Sequence, residues 1–515
     1  MSKVAKATFG LMMATMLAKV LGFGRELVLA SAYGASIYSD AYLTAMNIPL
    51  VVLTIIGSTI ATVFVPVYNE VEYKVGVKES LKFTNNVFNI IIIFCILLTV
   101  LGLTFTEDIV KVFAIGFKGD ALKIAVNFTK IIIIGTIFIG SSHLLTAYLQ
   151  LKEAFIILGF ITIPRNSIII ASIILSLNSN PYAMIIGTLF AFIVEFLIQL
   201  HISIKKGYKY KRYVNIKDKH IKKAIYLMSP VLIGVAVNQL NAMIDRTLAS
   251  TLSEGSISAL NYANKLNGFV SGLFIASIVT VIYPMLSRIS CKNNRDEFIN
   301  SIVKSINSVI LLVLPISIGA IVLATPIVRI LFERGEFDAR ATSMTAIALI
   351  MYSIGMVAFG LRDILGKVFY SLQDTKTPMI NGVLAMSMNI VLNIILVRYL
   401  EIAGLSLATS ISAIICIFLL FNSLNKKIGY FGQDMIIKTT LKSIVSALIM
   451  GIVTYFGYDL ISSILGNGFI YEVISLFASI LLGAIVYGAL VIVLKVEEVS
   501  IIMEMINKKI LKKVA

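Results

Sequence analysis

Long apolar runs alternate with short polar intervals along the whole chain. Runs long enough to be membrane spans occur near 6–31, 40–67, 83–105, 121–149, 155–176, 182–204, 224–252, 256–287, 305–325, 341–371, 378–397, 403–425, 443–463 and 470–494. A helix needs about 20 mainly apolar residues to cross hydrocarbon, and the lack of water there forces each crossing into a helix or a closed barrel. These runs are helix-length and unbroken, unlike the roughly ten-residue alternating segments of a barrel. The pattern predicts an all-α polytopic membrane protein of about fourteen transmembrane helices. The first run continues through Gly22, Gly24 and Arg25 without a small-residue cleavage site, so it reads as a retained helix and not a signal peptide.

Composition agrees: 58% of residues are hydrophobic and 14% charged, far from the shares of an average soluble domain. The net charge of +17 would suit a nucleic-acid binder, but its distribution argues otherwise. With the N-terminus placed inside, 29 of the 44 Lys and Arg residues fall in cytoplasmic segments and 7 in external loops. That is the positive-inside bias of a membrane protein with both ends in the cytoplasm. Nine of the cytoplasmic cations lie between Lys205 and Lys223.

The two halves echo each other at an offset of about 219 residues. Leu29-Ala30-Ser31, then Ser39 and Asp40, then a span closing at Pro66, corresponds to Leu248-Ala249-Ser250, then Ser258, then a span closing at Pro284. Tyr148-Leu149-Gln150 similarly answers Tyr370-Ser371-Leu372-Gln373. Such repeats predict two pseudo-symmetric six-helix lobes with a substrate site at the repeat interface. The expected organisation is an N-terminal lobe 1–204, a basic linker 205–223, a C-terminal lobe 224–425, two appended helices within 426–494 and a cytoplasmic amphipathic tail 495–515.

Eight basic residues fall well inside predicted spans, away from their uncertain ends: Lys19, Arg25, Lys130, Arg165, Arg246, Lys265, Arg362 and Lys367. A charge near the bilayer centre costs roughly 2.5–3.5 kcal/mol on insertion scales, so each needs a pair, a wet cavity or a function. Glu26, Asp40, Glu195, Asp245 and Asp363 only partly balance them, and the excess favours an anionic substrate. Arg25 and Lys19 have the donors to hold a phosphate, with Lys265 as their second-half equivalent, while the structural alternative pairs Arg25 with Glu26 or Asp40. Asp245, Asn389, Asn393 and Thr409 are oxygen-bearing residues suited to a small hard cation or, equally, to hydrogen bonds between helices. Cys95, Cys291 and Cys416 lack paired spacing, His143, His201 and His220 form no cluster, and no phosphate-binding glycine loop is present. Neither an enzyme, a resident metal nor ATP-driven pumping is expected.

Several motifs carry a family resemblance: Lys19-Val20-Leu21-Gly22-Phe23-Gly24-Arg25-Glu26, Ser39-Asp40-Ala41-Tyr42, Phe64-Val65-Pro66, Tyr262-Ala263-Asn264-Lys265-Leu266, Leu331-Phe332-Glu333-Arg334-Gly335-Glu336-Phe337 and Phe369-Tyr370-Ser371-Leu372-Gln373-Asp374-Thr375-Lys376-Thr377-Pro378. In these the chain resembles, over nearly its whole length, the MurJ (MviN) lipid II flippases of the multidrug/oligosaccharidyl-lipid/polysaccharide exporter superfamily. The resemblance implies a cationic central cavity and a lipid-tail groove made by the last two helices. It also implies a substrate, undecaprenyl-diphosphate carrying the peptidoglycan disaccharide-pentapeptide, moved between leaflets of the bacterial cytoplasmic membrane. Arg25 matches the family's first-helix arginine; Lys19 and Lys265 stand where many members carry arginine, and Leu53 and Thr54 occupy a stretch that often holds another. Arg25, Lys19 and Lys265 become the expected diphosphate contacts, and Asp40 and Glu26 gating or pairing residues. Coupling is expected to Na+ or H+, through Asp245, Asn389, Asn393 and Thr409, or to the membrane potential. The rival readings are a flippase for another polyprenyl-diphosphate glycan, a cation-coupled drug or metabolite exporter, and a membrane scaffold for cell-wall synthesis proteins.

Overall fold

The computed structural model describes residues 3–290, 294–466 and 468–499. Those residues are helical almost throughout. In chain order the helices are α1 (Lys3–Tyr33), α2 (Ile37–Val75), α3 (Val77–Thr104), α4 (Thr106–Phe113), α5 (Gly119–Ile132), α6 (Thr136–Leu151), α7 (Phe155–Leu177), α8 (Tyr182–Lys205) and α9 (Lys219–Ala249). There follow α10 (Ser256–Val270), α11 (Ala276–Ser290), α12 (Arg295–Val322), α13 (Ala324–Phe332), α14 (Ala339–Ile354), α15 (Met356–Ser371), α16 (Lys376–Ile428), α17 (Gln433–Leu465) and α18 (Phe469–Val493).

Each predicted span falls on helix. By length and apolarity alone, ten helices among the described residues qualify as membrane crossings, or eleven with the bent pair α14 and α15. The spans expected at 378–397 and 403–425 are the two parts of α16, which breaks at Glu401 with φ 48°. The spans at 6–31 and 224–252 lie on α1 and α9, which carry Lys19, Arg25 and Glu26, and Asp245 and Arg246. The single span expected at 341–371 is two helices bent by 44°. At the bend, a β-carbon on Gly355 would lie 2.7 Å from the Ser410 Cα, so only glycine permits that approach.

The chain forms two compact units, Met1–Ser258 with Arg334–Asp338, and Ala259–Glu333 with Ala339–Ala515. The first therefore contains α9, so its boundary lies beyond the basic linker. The linker is not a loose segment either. Asn85, Asn86 and Asn89 of α3 donate to the carbonyls of Lys209, Asn215, Lys211 and Tyr213 at 2.9–3.2 Å. The Asn85 and Asn86 carbonyl oxygens accept the Lys211 and Asn215 backbone N–H groups at 3.0 and 2.8 Å. Tyr208, fully buried, completes a ring stack with Tyr148 of α6 and Tyr68 of α2. Residues 334–338 join the first unit through the Glu336 N–H, which bonds the Ser31 carbonyl at 2.9 Å. Gly335, at φ +61°, comes so close to that carbonyl that a side chain would collide.

In the second unit, α17 and α18 approach so closely that a β-carbon on Gly483 would lie 2.3 Å from the Thr454 Oγ1, and Ser443, Ser446, Ser475 and Ser479 on these helices are all fully buried, the small-residue packing by which helices associate in lipid. Ile474, Phe477, Leu481 and Ile485 of α18 are exposed, as a lipid-facing stripe requires. Of the expected tail, 500–515 lies outside the described residues, while Glu498 accepts hydrogen bonds from Asn307 and, at 3.4 Å, from Thr439. Cys95 and Cys416 are buried free thiols; Cys291 lies outside the described residues.

Candidate functional site

Arg25 sits two-thirds along α1, and its side chain is about one-quarter exposed. Its Nη2 pairs with Glu26 Oε1 at 2.7 Å, and its Nη1 donates to Asn166 Oδ1 of α7 at 3.5 Å. Asn166 is itself fixed by donating to the Thr162 carbonyl at 3.0 Å. One residue before Asn166, Arg165 Nη1 bonds both carboxylate oxygens of Glu195 on α8, at 3.2 and 3.1 Å. Two arginines and two carboxylates are thus collected between α1, α7 and α8 at membrane depth. Asn166 was missed in the sequence because an amide carries no charge to flag it; its place beside Arg165 in an otherwise apolar helix is the only available signal.

Neighbouring carboxylates solve the desolvation problem of these arginines, since a buried charge is tolerated only when paired and hydrogen-bonded. The pairing also fixes the Arg25 side chain. A guanidinium has five N–H donors, and Glu26 and Asn166 take one each. The remaining donors of a positioned fork are what an oxyanion needs. Lys19, six residues earlier, is exposed on the same helix. α1 runs through Gly22 and Gly24 without a break. Among the described residues, a β-carbon added at either glycine would meet nothing within 4 Å, which leaves room beside the helix. Lys265 is exposed on α10 in the second unit.

Asp40 has a different task from the one expected. Its carboxylate accepts from the Gly255 and Ser258 N–H groups at 2.9 and 2.8 Å and from the Ser258 hydroxyl at 2.6 Å. It caps the start of α10, where helix N–H groups lack intrahelical partners and the dipole favours negative charge. It pairs with none of the expected cations. Ser258 Oγ also lies 2.9 Å from Ser39 Oγ, so a residue and its own repeat counterpart, 219 positions apart, are in direct contact.

Three of the expected cation ligands lie together. Asn393 Nδ2 donates to Asn389 Oδ1 at 3.0 Å, and Asn389 Nδ2 to Thr409 Oγ1 at 3.5 Å across the two parts of α16. Their polar groups bond one another, the structural alternative weighed above. Asp245 belongs to the first unit, on α9. Among the described residues no group of three or more His, Cys, Asp or Glu is placed to hold a metal.

Comparison with known proteins adds a functional frame. The family model described as lipid II flippase MurJ matches residues 29–477. A probable lipid II flippase MurJ of Vibrio cholerae is 32% identical over 424 residues, 80% of this chain and 81% of its own length. One from Buchnera aphidicola is 28% identical over 484 residues, covering 92% and 94%. A solved lipid II flippase MurJ in an inward closed conformation superposes with a TM-score of 0.80 at 27% identity, covering 93% of this chain and 98% of its own. An inward-facing multidrug-resistance MATE transporter of the MOP superfamily gives 0.65 at 14% identity, covering 83% of this chain and 99% of its own, a likeness of fold alone.

Proposed function

We propose that this chain, which belongs to the lipid II flippase MurJ family, carries lipid II from the inner to the outer leaflet of the bacterial plasma membrane by alternating access. The cargo, an undecaprenyl-diphosphate bearing a disaccharide-pentapeptide, cannot pass unaided, because its charged headgroup is excluded from hydrocarbon. The protein's task is to supply cations to that headgroup while the lipid tail stays in the bilayer. No bond need be made or broken.

The observation that carries this reading is Arg25, held by Glu26 and Asn166 through two of its donors, with its side chain about one-quarter exposed. A diphosphate offers the planar, multiply accepting partner that such a fork fits. Lys19 supplies a further ammonium on the same helix, and Lys265 is the second unit's candidate contact. The excess of embedded basic over acidic residues favours an anionic cargo over the cationic compounds that a drug exporter of this fold would take.

The test is complementation of a strain depleted of its own lipid II flippase. The wild-type chain is expected to restore growth and clear inward-facing lipid II, and Arg25→Ala to do neither while reaching the membrane in normal amount. Growth restored in full by Arg25→Ala overturns the role of Arg25. A wild-type chain that inserts normally but leaves lipid II facing inward overturns the cargo.

A further inference from the structure

The linker between α8 and α9 poses a question that headgroup transport does not answer. From Lys205 to Lys223 it has nine basic residues and a single acidic one, Asp218. That carboxylate is engaged in capping α9, accepting the His220 and Ile221 N–H groups at 2.7 and 3.4 Å. A like-charged run of this kind repels itself and is ordinarily mobile. Here it is held by every side-chain amide of Asn85, Asn86 and Asn89, as described above, with Phe88 packed edge-on against both Tyr208 and Tyr210 at 6.1 and 6.0 Å. The Tyr208 and Tyr210 hydroxyls donate to Asn85 and Asn89 at 3.0 and 2.9 Å.

This anchoring decides which way the charges face. Tyr208 and Tyr210 turn toward α3, and Lys209, Lys211 and Arg212 are all exposed. Residues two apart in sequence span at most about 7 Å, less than the roughly 8 Å screening length at physiological salt, and Arg212 adjoins Lys211, so these cations repel one another unless an anion lies across them. Val214 and Ile216 are exposed beside them, giving the strip apolar as well as basic character. Its two ends, Lys205 and Lys219, are the ends of α8 and α9, which keeps it at the membrane surface.

We propose that the strip from Lys209 to Ile216 is a preorganised docking surface for anionic phospholipid headgroups of the surrounding leaflet, separate from the transported cargo. The phosphodiesters lie across Lys209, Lys211 and Arg212, and Val214 and Ile216 contact the acyl boundary. The asparagine rail on α3 spends its hydrogen bonds fixing the backbone in advance, so that binding does not have to order it. Basic residues at a membrane surface each contribute appreciably to attraction for anionic lipid, and three in fixed register discriminate headgroup charge.

Purified full-length protein titrated with phosphatidylglycerol or phosphatidylcholine, with bound lipid counted by native mass spectrometry, tests this. Wild type is expected to retain phosphatidylglycerol over phosphatidylcholine, and K209Q/K211Q/R212Q to lose roughly tenfold or more of that preference. K118Q/K123Q/R398Q, which removes the same charge from predicted external loops, should leave it unchanged. N85A/N86A/N89A leaves the net charge unaltered and should still weaken retention. Equal retention of the two lipids by wild type, or a preference surviving K209Q/K211Q/R212Q, overturns the proposal; so does an equal loss in the external-loop variant, which would reduce the effect to net charge. A folded asparagine variant with undiminished retention overturns the preorganisation. These readouts are independent of transport, so they stand apart from the test of Arg25.

Discussion

In the first unit the embedded arginines meet carboxylates: Arg25 with Glu26 at 2.7 Å and Arg165 with Glu195 at 3.1 Å. In the second, Arg362 and Lys367 meet aromatic faces, Phe359 at 5.9 Å, and Tyr283 and Tyr370 at 5.3 Å each. A carboxylate cancels the charge and fixes the fork; a ring attracts the cation and leaves its charge in place. The first unit fixes the orientation of Arg25 through Glu26 and Asn166; the second sets its cations against ring faces, with Asp363 within electrostatic reach of both. On the proposed function the orientation of Arg25 matters, and Lys367 acts by charge alone.

The sharpest break of that comparison is conservative replacement. Arg25→Lys keeps the charge and loses the planar fork, so transport of lipid II in reconstituted vesicles should fall by roughly tenfold or more. Lys367→Arg should transport normally. Equal losses in the two variants would erase the distinction between oriented and diffuse charge.

Stability gives the next largest effect. Arg165→Leu leaves Glu195, nearly buried, as an uncompensated carboxylate, and should cost about 3 kcal/mol in unfolding measured in detergent. Adding Glu195→Leu should recover most of it. Lys367→Gln loses two ring contacts and its attraction to Asp363 without leaving a close ion pair broken, and should cost about 1 kcal/mol. A comparable loss in that variant would show that the aromatic faces hold their cation as firmly as the carboxylate does.

A third effect falls where the repeats touch. Asp40 has Ala259 as its counterpart at the 219-residue offset, so only one of the two equivalent helix starts carries a carboxylate, and it caps the other. Asp40→Ala should lower stability by about 1–2 kcal/mol, the usual value of an N-terminal cap. Asp40→Asn, which can still accept hydrogen bonds, should lose less.

How much of this was legible beforehand follows from what each feature leaves in the chain. Apolar runs are long and redundant, so every span was marked; the bend at Gly355 depends on one close approach to Ser410, which no local pattern reports. The short helices α4 and α13 begin 218 residues apart, at Thr106 and Ala324. They were overlooked because one turn or two of amphipathic helix is hidden beside a span, although the repeat offset relates them. Arg25 was visible because a charge in hydrocarbon demands an explanation. Asp40 was equally visible and misread: a carboxylate near cations suggests pairing, while the N–H groups it caps belong to a helix more than two hundred residues away. The asparagine rail under the linker was invisible for the same reason, since amides name no partner in sequence.

At the turns that the repeat also relates, both units set a lysine beside a carboxylate. After Tyr148-Leu149-Gln150 in the first unit, Lys152 lies over the Tyr68 and Tyr148 rings at 5.3 and 5.6 Å and pairs with Glu72 at 3.6 Å. After Tyr370-Ser371-Leu372-Gln373 in the second, Asp374 makes a short ion pair with Lys427 at 2.5 Å and accepts the Thr377 N–H and hydroxyl at 3.0 and 2.8 Å. The Lys427 hydrogen bond first, and the Thr377 N–H after it, hold the Asp374 carboxyl down at about 2, below the ordinary aspartate value of about 3.9. A carboxyl depressed in the folded state stabilises fully above its unfolded value, and that contribution is lost as pH falls from about 4 through about 2. Asp374→Asn should therefore cost under about 1 kcal/mol at pH 7, the scale of a surface pair, and the gap from wild type should narrow across that acidic window in thermal unfolding at stepped pH. A gap for Asp374→Asn that stays constant down to pH 2 would mean that Thr377 and Lys427 bind the neutral and ionised carboxyl equally, and that the turn is held by its backbone geometry alone.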